Sequence, residues 1–171
     1  MKDNSKNIII EIFNQRSYTE ITEIEDNMIS AKDTKGTEII VIFFKEQKLN
    51  TKGMNNIISL LNEKDIKHCI VVYGDDITSA TKNTLSRSSD IFFELFTTQE
   101  LQINITKSKL QPKSFTKISD IEKQEFVDKF GDNIPRLKIN KPISKFFNYS
   151  IGDIIKIVRQ NDHITYRIVT E

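Results

Sequence analysis

Apolar and polar positions alternate with two periods along this chain, and the period changes near its middle. Residues 5–16, "SKNIIIEIFNQR", place Ile8, Ile9, Ile12 and Phe13 on one stripe, which predicts a helix with Ser5 as its cap. Two β-like runs follow at 27–32 and 37–44, joined by the turn composition "DTKG". The second run, "TEIIVIFF", is nearly all apolar, as a strand covered on both faces would be. "TKGMNNIISLLNEK" then predicts a helix, with Thr51 as cap and Ile57, Leu60 and Leu61 at helical spacing. "HCIVVYG" reads as another buried strand, "DDITSATKNTLS" as a helix start capped by Thr78, and "DIFFELF" at 90–96 as a third strand. Strands alternating with helices predict an α/β layer with some parallel pairing.

Past residue 97 the signal shortens. Residues 97–103 read as a junction, so the expected domains are 1–101 and 102–171. In the second, Ser119 and Glu122 match a capping box ahead of a helix that stops at Gly131. Asn140 is the expected cap of a short helix with Pro142 in its first turn. "DIIKIVR" and "HITYRIV", linked by "QND", predict a terminal β-hairpin. An exposed edge strand in that hairpin would be a liability in a free monomer, and within a multisubunit assembly a docking edge, through strand addition or side-chain packing. The expected fold is thus an α/β N-terminal domain, a mixed sheet with flanking helices, plus a small α+β C-terminal domain ending in a β-hairpin.

Composition narrows the class. Of 171 residues, 37% are hydrophobic and 29% charged, which suits a folded rather than a disordered chain. No apolar run is long enough to span a membrane, and the polar start "MKDNSKNIII" does not read as a secretion signal. The single cysteine, Cys69, excludes an internal disulfide and fits a reducing compartment. Net charge is +1 but unevenly spread: residues 1–97 hold 12 basic against 15 acidic groups, residues 98–171 hold 13 against 9. That asymmetry points to an acidic partner for the C-terminal part. Lysine outnumbers arginine 20 to 5, as an AT-rich genome would produce, so the few arginines are of interest.

Candidate chemistry is sparse. His68 and His163 belong to no zinc-like cluster, and Cys69 reads as a buried thiol whose strand neighbour His68 faces the other way. Phosphate loops and nucleophile elbows are absent. Asp33, Glu46 and Lys48 form one constellation resembling the Mg²⁺-binding layout of restriction-type nucleases, against which stands a solvated strand exit. Asp75 and Asp76 suit the start of the following helix better than a metal. Phe43, Phe44, Phe92, Phe93 and Phe96 are expected in the core.

The C-terminal segment "NIPRLKINKPISKFFNYSIGDIIKIVRQNDHITYRIV" resembles the assembly domain of the common fifth subunit of eukaryotic RNA polymerases, a domain with a counterpart in the archaeal enzyme. Pro135, Arg136, Pro142, Gly152, Lys156, Ile157, Arg159, Thr165, Tyr166 and Arg167 match the family pattern in order and nearly in spacing. Upstream, "LQINITKSKLQPK", "VIFFKEQKLNTKGM" and "IVVYGDDITSATKN" are similar to further stretches of that family and its jaw domain. Departures include Ser108 and Ser114 where the family has histidines, and Ser79 in place of a proline. With the codon bias, they favour a divergent copy from a large DNA virus of eukaryotes over one from a unicellular eukaryote.

The resemblance implies a nuclease-like jaw layout for the first domain and a non-catalytic polymerase subunit without cofactor or metal. It implies docking on the largest subunit and contacts with other subunits through Pro135, Arg136, Pro142, Lys156, Arg159, Tyr166 and Arg167. It places Thr78, Ser79 and Lys82 beside downstream duplex DNA, in weak contact without sequence readout, and implies no membrane partner. The expected setting is intracellular: a nucleus, or a cytoplasmic viral factory or virion. Two other classes remain open, a Mg²⁺-dependent nuclease using Asp33, Glu46 and Lys48 and a free-standing protein-interaction domain.

Overall fold

A computed structural model describes residues 4–131 and 133–171; the first three residues of the polar N-terminal stretch lie outside them. The chain divides into two compact units, the first ending at Ile103 and the second starting at Asn104. The two are described separately.

The first unit contains helix α1 (Ser5–Gln15), strands β1 (Thr19–Glu25), β2 (Met28–Lys32), β3 (Glu38–Phe43) and β4 (Lys48–Leu49), and helix α2 (Thr51–Glu63). Strand β5 (His68–Tyr73), strand β6 (Asp76–Ile77), helix α3 (Ser79–Arg87) and strand β7 (Phe92–Thr97) complete it. Its main sheet has the order β1-β2-β3-β5-β7. β1, β2 and β3 pair antiparallel, whereas β3, β5 and β7 run parallel. The continuous apolar run of β3 has the reason anticipated for it: Ile39, Ile40, Val41 and Ile42 are all buried, so both faces are covered.

Ile40, Ile42, Cys69 and Val71 pack on one face with Met54, Ile57 and Leu61 of α2, and half-buried Leu85 of α3 joins them. By strand alternation Ile39, Val41, Ile70 and Val72 point to the other face. The α1 stripe Ile8, Ile9, Ile12 and Phe13 is buried as its spacing predicted. Each fully buried isoleucine contributes about 1.5–3 kcal/mol, so these two layers dominate the unit's stability.

Several local expectations need correction. Ser5 is not a cap but the buried first residue of α1; Asn4 holds the cap position. Asn50, not Thr51, caps α2, its side chain accepting from the Gly53 amide at 2.8 Å. Thr78 does cap α3, accepting from the Thr81 amide at 3.1 Å. Phe92 is not core: it lies on edge strand β7 and is 53% exposed. Strand β1 was not foreseen. Its run "TEITEIE" buries no residue, and its pairing with β2 is broken by register shifts, so it carries little apolar signal. Charged residues and irregularities of this kind protect an edge strand from further pairing.

The second unit holds a 3-10 turn (Ile105–Lys107), strand β8 (Ser114–Lys117), helix α4 (Asp120–Phe130) and strand β9 (Arg136–Lys138). Helix α5 (Pro142–Phe147) and strands β10 (Ile154–Val158) and β11 (Ile164–Thr170) follow. The sheet order is β8-β10-β11-β9, antiparallel except for the parallel β9–β11 pair. The Ser119–Glu122 capping box is present, and Gly131 with φ of 72° closes α4. Lys141 rather than Asn140 sits at the α5 cap position, with Pro142 entering the first turn. The terminal hairpin turns through Gln160, Asn161 and Asp162, with Asp162 at φ of 62°.

That hairpin is no edge. β8 pairs along β10 and β9 along β11, so both arms are interior and strand addition to them is blocked. Helix α4 covers one face through Phe126 and Val127 against Ile118, Ile134 and Ile154. Tyr149 and Phe147 pack the other face with Ile155, Ile157 and Val169.

Candidate functional site

Two faces of the second unit divide the residues expected to meet a partner. Alternation along β10 and β11 puts Ile157, Arg159 and Arg167 on one face and Lys156 and Tyr166 on the other. Pro142, Arg159 and Arg167 come together around one groove of about 420 Å³. Tyr166 lies beneath α4, its ring 4.4 Å from that of Phe126. Pro135 and Arg136 are exposed, and their carbonyls bond within the unit: that of Pro135 accepts from the Ile168 amide at 2.9 Å, and that of Arg136 from Arg167 Nη1 at 3.0 Å. Arg167 is therefore tied to β9, with one of its five donors spent on the chain itself.

In the first unit, Thr78, Ser79 and Lys82 do gather at the start of α3. The Thr78 hydroxyl is committed to the cap and lies 2.7 Å from the Thr81 hydroxyl, which in turn reaches the Leu49 carbonyl at 3.3 Å. Ser79 and Lys82 are exposed. Next to them Lys48 pairs with Asp76 at 3.0 Å across the small β4–β6 sheet. The hydrogen bond from Lys48, the Ile77 amide and the Lys48 charge hold the Asp76 carboxyl below its ordinary range.

The nuclease constellation does not assemble. Asp33 accepts from the Lys35 and Thr37 amides in the turn before β3. Glu46 lies beyond the other end of β3, bonded to Asn50, and Lys48 is spent on Asp76. Cys69 is fully buried, and desolvation pushes its thiol far up, the opposite of a reactive cysteine.

Sequence reasoning missed a buried polar cluster. Arg16, just after α1, makes two hydrogen bonds to Glu94 of β7 at 2.8 and 2.7 Å, and His68 Nε2 meets the same carboxylate at 2.8 Å. The side chains of Arg16 and Glu94 are 3% and 7% exposed. Burial works to raise the Glu94 carboxyl, but the hydrogen bonds of His68 and Arg16 and the Arg16 charge outweigh it, and the net shift is downward. A lone glutamate within the apolar run "DIFFELF" was the available signal. The buried cluster ties the end of α1 to the sheet.

Residues 103–169 match the family model described as RNA polymerase Rpb5, C-terminal domain. The C-terminal unit is similar to that family. Similarity to curated proteins extends over the first unit as well. A putative DNA-directed RNA polymerase subunit of Invertebrate iridescent virus 6 is 28% identical over 99% of this chain and 100% of its own length. The subunit rpabc1 of DNA-directed RNA polymerases I, II and III from Dictyostelium discoideum is 28% identical over 82% of this chain and 77% of its own. Its Caenorhabditis elegans counterpart is 25% identical over 83% of this chain and 71% of its own length.

Proposed function

We propose that this chain is a non-catalytic subunit of a multisubunit DNA-directed RNA polymerase, docking on the largest subunit through its Rpb5-type C-terminal unit. The single observation carrying this reading is the match over residues 103–169, joined to similarity with polymerase subunits along nearly the whole chain. The two units have the features such a part needs. The first is a mixed sheet with helices on it, in keeping with a jaw of nuclease-like layout. The second offers Arg159 and Arg167 on one face, and planar guanidinium forks suit carboxylates of a partner.

The jaw lies beside downstream duplex DNA in this reading, with Ser79, Lys82 and the first amides of α3 near the phosphates and Thr78 shaping the helix start. The acidic balance of residues 1–97 makes that contact weak, salt-sensitive and indifferent to sequence. The setting is wherever the polymerase works, a nucleus or a viral factory and virion; the viral relative of matching length favours the latter.

The test is purification of the tagged chain from its native source. Recovery of the two large polymerase subunits at about one-to-one stoichiometry is the expected result. Recovery of the chain free of them would overturn the reading.

A further inference from the structure

The groove of the second unit has a composition that selects its occupant. All four strands reach it: Phe115 of β8, Ile157 of β10, Arg167 of β11 and Leu137 of β9, with Ile143 of α5 beside them. Its floor is thus apolar. Its charged lining is Arg159, Arg167 and Lys141, and among the described residues none that lines it is acidic. Leu110, 95% exposed, also lines it, so an apolar side chain stands in water until something covers it.

An apolar floor asks for an apolar side chain, and three cations beside it ask for an anion. Arg167 is held by the Arg136 carbonyl, so part of the ordering entropy of its guanidinium is lost before any partner arrives. A nucleic-acid backbone fits poorly: it would leave Ile157, Leu137 and Ile143 against phosphate and sugar. The one aromatic lining the groove among the described residues, Phe115, is half-buried and packs on Phe147 at 6.2 Å, so it offers no stacking platform. The hairpin arms are covered by β8 and β9, and the groove lies on the face of the sheet, so what it offers a partner is side-chain insertion rather than strand pairing.

We infer that this groove seats a segment of another polymerase subunit in which an apolar residue lies beside an aspartate or glutamate, the apolar side chain entering between Phe115, Leu137 and Ile157 and the carboxylate meeting Arg159 and Arg167. The inference rests on the polymerase reading and adds to it the place and chemistry of the contact.

Two measurements on the tagged full chain test it. A photo-crosslinking benzoylphenylalanine at Leu110 is expected to capture, by mass spectrometry, a polymerase segment with an acidic residue beside an apolar one. Capture of nucleic acid, of a segment without an acidic residue, or of nothing would overturn it. Arg159→Glu and Leu110→Asp, both at exposed positions, are expected to lower recovery of the large subunits about tenfold or more while the thermal midpoint of the chain is unchanged. Undiminished recovery by both variants would overturn the groove and leave the polymerase reading standing. Failure of the unaltered chain to recover polymerase would overturn that reading, and the groove inference with it.

Discussion

Arg16 and Glu94, 78 positions apart, face each other through two hydrogen bonds of 2.8 and 2.7 Å in a site from which water is nearly excluded. The pair joins the end of α1 to edge strand β7, and His68 on β5 completes the carboxylate's set of donors. Breaking such a pair from one side leaves a buried charge alone. Glu94→Ala is therefore expected to destabilise the first unit by about 3–5 kcal/mol, read from urea unfolding by circular dichroism. Arg16→Lys loses the two-pronged geometry, and an unfolding midpoint equal to that of the unaltered chain would contradict this account.

The same pair sets a pH dependence. The Glu94 carboxyl lies below its ordinary value of 4.5 in the folded chain, so folding favours its charged form. A depressed carboxyl stabilises fully above the unfolded value and loses that contribution as pH falls through the folded one. The stability difference between the unaltered chain and Glu94→Gln is thus expected to shrink as pH falls below the ordinary glutamate value. A difference that grew on acidification would reverse the sign and refute the argument.

Gly74 sits where β5 leads toward the small β4–β6 sheet, and an added Cβ would lie well inside contact distance of the Gln47 backbone. Asp75 donates to the Gln47 carbonyl at 2.9 Å there, so the backbone cannot withdraw without losing that bond. Gly74→Ala is expected to cost about 1–3 kcal/mol in chemical denaturation. The small sheet carries Lys48–Asp76 and the start of α3, so the same change should speed amide exchange at Thr78 to Thr81.

Ser119→Ala removes the hydroxyl that accepts from the Glu122 amide at 3.3 Å, and it breaks half of a capping box. The expected loss is about 1 kcal/mol, measurable as a lower thermal midpoint of the second unit.

Lys82 is exposed near α3's start, beside a Lys48–Asp76 pair that already spends one lysine. Within assembled polymerase, Lys82→Glu is expected to weaken crosslinking of the first unit to downstream duplex and to reduce the salt slope of that contact by about one. Equal crosslinking at every salt concentration would remove Lys82 from the DNA-facing set.

Patterns in the sequence determined most of both units because burial leaves a direct trace in the chain. β3 and β5 are unbroken apolar runs since both of their faces are covered, and α2 repeats at helical spacing since one face is. The capping box at Ser119 and the Thr78 cap were legible because they are contacts between residues three apart. β1 was not, because an edge strand that buries nothing needs no apolar pattern. Nor was β8, whose four residues become a strand only by pairing with β10 some forty positions later in the chain.

The arginines show the same divide at the site. Their scarcity and order along the chain marked Arg136, Arg159 and Arg167 as a group, and that is a property of the sequence. Tertiary structure alone decided that Arg159 and Arg167 share a groove with Pro142, that Tyr166 turns away beneath α4, and that the Arg136 carbonyl holds Arg167. It alone joined Arg16, Glu94 and His68. The physical reason is one of range: periodicity and caps are set by neighbours along the chain, whereas paired charges and grooves are set by strand order, which brings distant residues within a few ångströms.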